Sequence, residues 1–489
     1  MNPALIKEAK AALADIEGLV LFAKLRDRPL IQAFTALLQA LAAQGADKDA
    51  QGLIRPWACF MASLVETELP CQEGGLQQGQ GDLYHAVAWM SLTDDNLFTR
   101  TAELHPITRA IDSFPQGLFS LAGLDLSRLG RIAAFASSRV GFHIGALIRE
   151  GLPYLDKAAH TLEEEARFLR EAEGQGAGAY PLLDTLFPYH SDWSAALADL
   201  IAHIQRSGAG SLGLYRAFRW TGLPEAALQP VQSPDQVRLS SLAGYEQQRA
   251  LVIANTLRFL EGKPANNLLL YGDRGTGKSA TVKALCNEYA KQGLRLLEVP
   301  KEQLAALPRI LEVLRCRGLH FIIFIDDLSF EKTDDSFTGL KMLLEGGIEA
   351  RPSQVLIYAT SNRRHLVKEY AADRPTTAMA ANALATGDMR AFDSMQEQFS
   401  LADRFGLTVV FTAPVQEEFL YIAEYIARER GVLTGAPQTE AWKTFRENAL
   451  RWERWFNGRS PRTAVQYVDW LAGGGGFPWE SPPAPPKGV

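Results

Sequence analysis

The chain has 489 residues, 47% hydrophobic and 22% charged, with a formal net charge of −6, the balance of an ordinary globular protein with room for two or three domains. No run of about 18 uncharged apolar residues appears, which argues against a membrane span. Residues 1–235 hold 19 Lys/Arg against 27 Asp/Glu, a balance of −8, and the remainder 31 against 29, or +2; neither half is the strongly basic surface of a dedicated nucleic-acid binder.

Met1 to Glu8 lacks a basic segment followed by an apolar core and does not read as a secretory signal. Cys59, Cys71, Cys286 and Cys316 fall at no metal-ligand spacing. They read as reduced thiols, and the expected location is cytoplasmic. Residues 1–222 read as a mostly helical N-terminal domain. Ala4 to Lys24, Leu30 to Leu41 and Leu155 to Ala172 carry apolar residues at helical spacing. Glu66 to Asp82 is polar and glycine-rich, the composition of a loop, and Gly174 to Gly178 is a second break. His105, His143, His160, His190 and His203 have no obvious partners and are expected to be solvated or structural.

Residues 223–236, with three prolines, read as a linker. Leu239 to Gly262 is a helical lead-in. Short apolar runs follow at Leu268–Tyr271, Leu294–Val299, Phe321–Asp326, Val355–Thr360 and Leu407–Phe411, separated by helical segments. That alternation predicts an α/β domain over 237–413, a parallel sheet wrapped by helices. Residues 414–472 read as helical, and 473–489, opening on four glycines and continuing proline-rich, as a disordered tail.

The octapeptide Gly272-Asp273-Arg274-Gly275-Thr276-Gly277-Lys278-Ser279 fits the phosphate-loop (Walker A) pattern G-x-x-x-x-G-K-[ST], between a predicted strand and a predicted helix opening at Ala280. In that context backbone N–H groups converge on one point at a helix N-terminus, which favours an anion. The expected nucleotide contacts are Gly272, Asp273, Arg274, Gly275, Thr276, Gly277, Lys278, Ser279 and Ala280. Lys278 would reach the β- and γ-phosphates, and the Ser279 hydroxyl would ligate Mg²⁺. Phe321 to Asp327 is an apolar run ending in two carboxylates. Asp326 would hold Mg²⁺ and Asp327 would polarise the attacking water, in the crevice where open α/β sheets bind ligands. Asn362, at the tip of another strand, could orient that water. Arg404, just before the last strand, could meet the γ-phosphate bound by a neighbouring subunit. Arg462 follows Ser460-Pro461 at a predicted helix start and could fold down on the nucleotide.

Loop, acidic strand, polar strand tip, trans arginine and lid arginine come in the order of the AAA+ ATPases. The chain resembles, more closely, the DUF815 family of bacterial AAA+ ATPases, a family of unknown function. The residues that carry the resemblance are Asn255-Thr256, Pro264 to Asn267, Gly293 to Leu296, Asp326 to Glu331, Leu343 to Gly347, Tyr358 to Leu366, Ser400 to Leu407 and Arg459 to Arg462. They span roughly 215–472. The resemblance implies an AAA+ sheet with a C-terminal helical lid, ATP with Mg²⁺, and ATP-dependent assembly into a homo-oligomeric ring or arc. It implies no substrate. One departure stands out. Most AAA+ members carry Asp-Glu where this chain has Asp326-Asp327, so the reach to water is shorter, unless Glu331 or Glu345 compensates. Slow turnover is an accompanying expectation.

Four functions compete at this stage. The first is an oligomeric ATPase that remodels or loads a protein partner gripped by the N-terminal region. A nucleic-acid-linked, helicase-loader-like ATPase is the second, disfavoured by the acidic first half. A small-molecule kinase would have no use for Arg404 or Arg462. A non-hydrolysing nucleotide-binding scaffold or switch would bind tightly without turnover.

Overall fold

The computed structural model describes residues 3–43, 51–70, 76–78, 82–105, 113–151, 156–175, 180–188, 191–223, 227–328, 344, 351–362, 404–434, 436–456, 458–477 and 479. They fall into two compact units, Met1–Tyr215 with Arg317–Leu319, and Arg216–Cys316 with His320–Val489. No helix among the described residues is long and apolar enough to cross a membrane.

The first unit is built from α1 (Pro3–Glu17), α2 (Pro29–Ala43), α3 (Gln51–Glu66), α4 (Leu83–Thr93), α5 (Leu97–Leu104), α6 (Gln116–Ala133), α7 (Ser137–Gly151), α8 (Asp156–Gln175), α9 (Pro181–Leu186), α10 (Leu197–Ser207) and α11 (Ser211–Leu214). Their apolar stripes meet in one core that includes Phe34, Trp57, Phe60, Phe98, Leu126 and Trp193. Each such side chain taken out of water contributes about 1.5–3 kcal/mol.

Helical periodicity through Lys24 overestimates the first helix, which ends at Glu17. The reason is Asp125 of α6. Its buried carboxylate accepts from the N–H groups of Val20, Leu21 and Phe22 at 2.8, 2.7 and 3.2 Å and pairs with Arg128 at 3.1 Å. Donors that would have propagated the helix are diverted to a side chain about a hundred residues away. The polar stretch 66–82 is also more than a loop. Within it β1 (Glu68–Pro70) and β2 (Leu76–Gln78) pair antiparallel.

The structure describes four of the five histidines singled out in the sequence. His105 bonds Ser113 at 3.0 Å, and His160 faces Glu164 at 3.3 Å. Burial lowers the pKa of His143 and of His203; His190 lies outside the described residues. His85 is a joint the sequence did not reveal. Nδ1 stands 2.8 Å from Asp82 and Nε2 3.2 Å from Asp184, linking the cap of α4 to α9.

The second unit is mixed α/β. Its seven-stranded sheet runs in the order β4 (Leu228–Pro230), β3 (Ala217–Trp220), β6 (Leu294–Glu298), β7 (His320–Ile325), β8 (Val355–Ser361), β5 (Leu268–Gly272), β9 (Leu407–Phe411). Every neighbouring pair is parallel except β3–β4. The five strands predicted from apolar runs are all present. β3 and β4 were not foreseen, and β4 lies inside the stretch read as a linker. At the sheet margin a proline is tolerated because no further strand needs its N–H; Pro230 pairs with Phe218 there.

The sheet is wrapped by α12 (Glu246–Leu260), α13 (Lys278–Tyr289) and α14 (Leu307–Arg315). Several residues that carry the family resemblance prove to be scaffold. Asn255 Nδ2 donates to the Asn266 carbonyl at 2.9 Å and to the Tyr358 hydroxyl at 3.0 Å, while its Oδ1 accepts from Asn266 N–H at 3.0 Å. Thr256 shares a 2.8 Å hydrogen bond with the same Tyr358 hydroxyl. This buried network fixes α12 against the base of β5 and β8.

Among the described residues, three helices follow the sheet, α15 (Gln416–Glu429), α16 (Glu440–Trp455) and α17 (Pro461–Ala472). Their core includes Phe419, Ile422, Phe445, Trp452 and Tyr467. Within the stretch predicted as a tail from Gly473 onward, Phe477 is buried against Trp452 and Tyr467 and stacks on Trp479 at 4.7 Å. Aromatic burial there offsets the conformational freedom of the four glycines. Residues 480–489 lie outside the described residues.

Candidate functional site

Strand order alone gathers the candidate residues. β7, β8 and β5 are consecutive and parallel, so their C-terminal tips present Asp326-Asp327, Ser361-Asn362 and the glycine-rich loop side by side.

The loop is held at its root. Gly272 has φ +136°, and a Cβ there would stand 2.1 Å from the Phe411 carbonyl oxygen, so only glycine fits. Asp273 donates its N–H to that carbonyl at 2.9 Å, and its Oδ2 accepts from Ala413 N–H at 2.7 Å. Its side chain thus anchors the loop. Gly277, at φ +89°, turns the chain into α13. Arg274 is exposed, Thr276 is buried, and Ser279 and Ala280 are half-buried on the first turn of the helix.

Lys278 is buried, and its ammonium donates to the carbonyls of Gly272 and Asp273 at 3.0 and 2.7 Å. Burial lowers its pKa to about 8, against the opposing pull of Asp273, Asp326 and Asp327; Arg462 adds to the lowering.

Opposite the loop, Ser279 Oγ donates to Asp326 Oδ1 at 2.6 Å. The same carboxylate oxygen accepts from Thr360 Oγ1 at 2.6 Å, and Thr360 Oγ1 accepts from Asp327 N–H at 2.9 Å. Asp327 sits at φ +51°, a left-handed conformation uncommon for a non-glycine residue. Asn362 Nδ2 donates to Asp327 Oδ1 at 2.6 Å. Both aspartates are exposed, while Thr360 is buried.

Sequence reasoning missed Thr360, a hydroxyl near the end of an otherwise apolar strand. That position, one residue before a polar Ser-Asn pair, was the available signal.

The Ser279 hydroxyl and the Asp326 carboxylate are hard oxygen donors that meet at this edge of the sheet. They suit Mg²⁺, which takes one or two protein oxygens and completes its shell with water and phosphate. Among the described residues no group of three or more His, Cys, Asp or Glu forms a cation site without such help.

Arg462 also meets the loop. Its N–H donates to the Gly275 carbonyl at 3.2 Å, and its side chain is exposed. Ser460 caps α17, accepting from Thr463 N–H at 3.1 Å as its sequence position predicts. Arg404 is elsewhere. It lies three residues before β9, whereas the loop follows the far end of β5, and β5 and β9 are parallel. At about 3.3 Å per residue, the five paired positions separate the arginine from its own loop by roughly 15 Å. Asp403, Glu331 and Glu345 lie outside the described residues. Beside the loop, a pocket is lined by Ala243, Arg249, Gly277, Ile422, Ile426 and Val465, among others.

A family model described as "Protein of unknown function (DUF815)" matches residues 213–475. No curated protein matches the sequence. Among solved structures, a single-substitution variant of Thermotoga maritima RuvB is 18% identical, with a TM-score of 0.30 over 48% of this chain and 63% of that one. The Thermotoga maritima RuvB Holliday junction branch migration motor is 15% identical, with a TM-score of 0.27 over 48% of this chain and 71% of that one. The chain thus spans less than two thirds of the first of these structures.

Proposed function

The chain belongs to the DUF815 family, and we propose that it is an AAA+ ATPase that binds ATP with Mg²⁺ and hydrolyses it at a site shared between subunits. One observation carries the reading: a buried lysine, a helix-start serine, two carboxylates and an amide converge at three adjacent strand tips. A structural turn has no use for that convergence.

In this reading the loop N–H groups and Lys278 bind the phosphates, with Lys278 exchanging the Gly272 and Asp273 carbonyls for phosphate oxygens. Ser279 and Asp326 hold Mg²⁺, which neutralises phosphate charge when bound. Asp327 accepts a proton from the attacking water. Asn362 holds the Asp327 carboxylate and so acts on water through it. Arg462 reaches the nucleotide from the helical lid, residues 414–472. Arg404, at the opposite end of its strand from its own loop, completes the site of a neighbour in a ring or arc. Residues 1–222 grip a protein partner in the cytoplasm; the acidic balance of that half disfavours nucleic acid.

The test is light-scattering mass with and without ATP and Mg²⁺, with phosphate release followed on the same samples. Mass should rise with nucleotide, and specific activity with protein concentration. Lys278→Ala should lose binding. Arg404→Ala should keep binding and lose turnover, and mixing the two variants should restore part of it. A monomer with concentration-independent turnover would remove the shared site. Tight binding with no phosphate release would leave a nucleotide switch.

A further inference from the structure

The pocket beside Gly277 is mostly apolar, yet Arg249 of α12 lines it. The Arg249 side chain is only 11% exposed, and its one carboxylate neighbour among the described residues, Glu246, stands 3.6 Å away, too far for a hydrogen bond. Burial lowers its pKa, with Glu246, Tyr421 and Tyr425 pulling the other way. Its guanidinium carries five donors and no acceptor, and Glu246 at 3.6 Å matches none of them with a hydrogen bond. The wall is therefore prepared for a ligand that brings acceptors.

Position narrows the ligand. A nucleotide with its phosphates on the loop would place its base next to Gly277, against Ile422, Ile426 and Val465. Among the described residues lining the pocket none is Asp, Glu, Asn or Gln, so no carboxylate or side-chain amide among them selects adenine through its amino group. Guanine offers two adjacent acceptors, O6 and N7, which a planar guanidinium meets with two hydrogen bonds. Adenine sets a donor, N6, beside its N7 acceptor. We propose that Arg249 makes this a site for guanine as well as adenine nucleotides, by donating to the O6 and N7 edge of the guanine ring. The inference rests on the phosphate-site reading above.

The experiment is equilibrium binding of non-hydrolysable ATP and GTP analogues to the full chain with Mg²⁺. The two should bind wild type within about tenfold of each other. Arg249→Met should weaken the guanine analogue about tenfold or more relative to the adenine one. Arg249→Lys, which keeps the charge but not the fork, should fall between. A wild-type preference for adenine beyond tenfold overturns the proposal, as do variants that weaken both analogues equally or neither. Lys278→Ala separates the two ideas. Loss of both analogues there, with a shifted ratio in Arg249→Met, supports both readings. Binding retained in Lys278→Ala, or no binding by wild type, strikes the phosphate-site reading and this inference with it.

Discussion

Thr360 Oγ1 donates to Asp326 at 2.6 Å and accepts from Asp327 N–H at 2.9 Å, so one hydroxyl ties the Asp326 carboxylate to the backbone of Asp327. The same N–H also lies 3.2 Å from Asp326 Oδ1. Asp327 adopts its left-handed conformation with its backbone held from β8 and its side chain from Asn362, the residue just after that strand.

Thr360→Val keeps the shape of the residue and removes the hydroxyl. Phosphate release should fall roughly tenfold or more, since a hydrogen bond to a charged group contributes about 1.5–3 kcal/mol. Nucleotide affinity should change little, and Thr360→Ser should recover most of the rate. An equal loss of affinity and rate would make Thr360 a folding residue only.

Lys278 gives two pH dependences of opposite sign. Its folded pKa of about 8 lies below the ordinary 10.5. Between those values the unfolded chain holds more of the proton, so this residue makes stability rise with pH across the window. Phosphate binding needs the ammonium, so affinity should fall as pH rises through about 8. Titration of nucleotide affinity across roughly two pH units centred on that value checks this. A flat profile would place the positive charge elsewhere.

His85 tests the helical unit. Burial alone would lower its pKa, but the hydrogen bonds and charges of Asp82 and Asp184 outweigh burial and raise it above 6.5. Its contribution to stability is therefore complete below pH 6.5 and is lost as pH rises through the folded value. His85→Ala leaves two carboxylates without their shared partner and should cost about 3 kcal/mol. Urea unfolding at about pH 5.5 and about pH 8.5 should show a larger gap between wild type and variant at the lower pH.

The five strands and the glycine-rich turn after β5 were legible because their signals are local. An apolar run such as Phe321 to Ile325 can only be buried, and a loop of fixed spacing announces its own geometry. What stayed hidden depends on partners distant in sequence. The end of α1 is decided by Asp125, the pairing of His85 by Asp184, and the aim of Asp327 by Thr360 and Asn362. The β3–β4 margin was hidden for another reason. Its strands are short, one ends in proline, and neither carries a long apolar run. The anchoring of Asp273 to Ala413 shows only once β9 lies beside β5.

β9 is five residues long. Arg404 precedes one end of it, and at the other end the Phe411 carbonyl grips the N–H of Asp273. Hydrogen bonds to β5 run along its whole length, so it behaves as a stiff strut between the two. If Arg404 reaches a neighbour's phosphates, each protomer carries a rod with one tip on the adjacent nucleotide and the other on the root of its own loop. Around a closed ring such rods would join end to end through the nucleotides, and the bound triphosphates would become part of the frame.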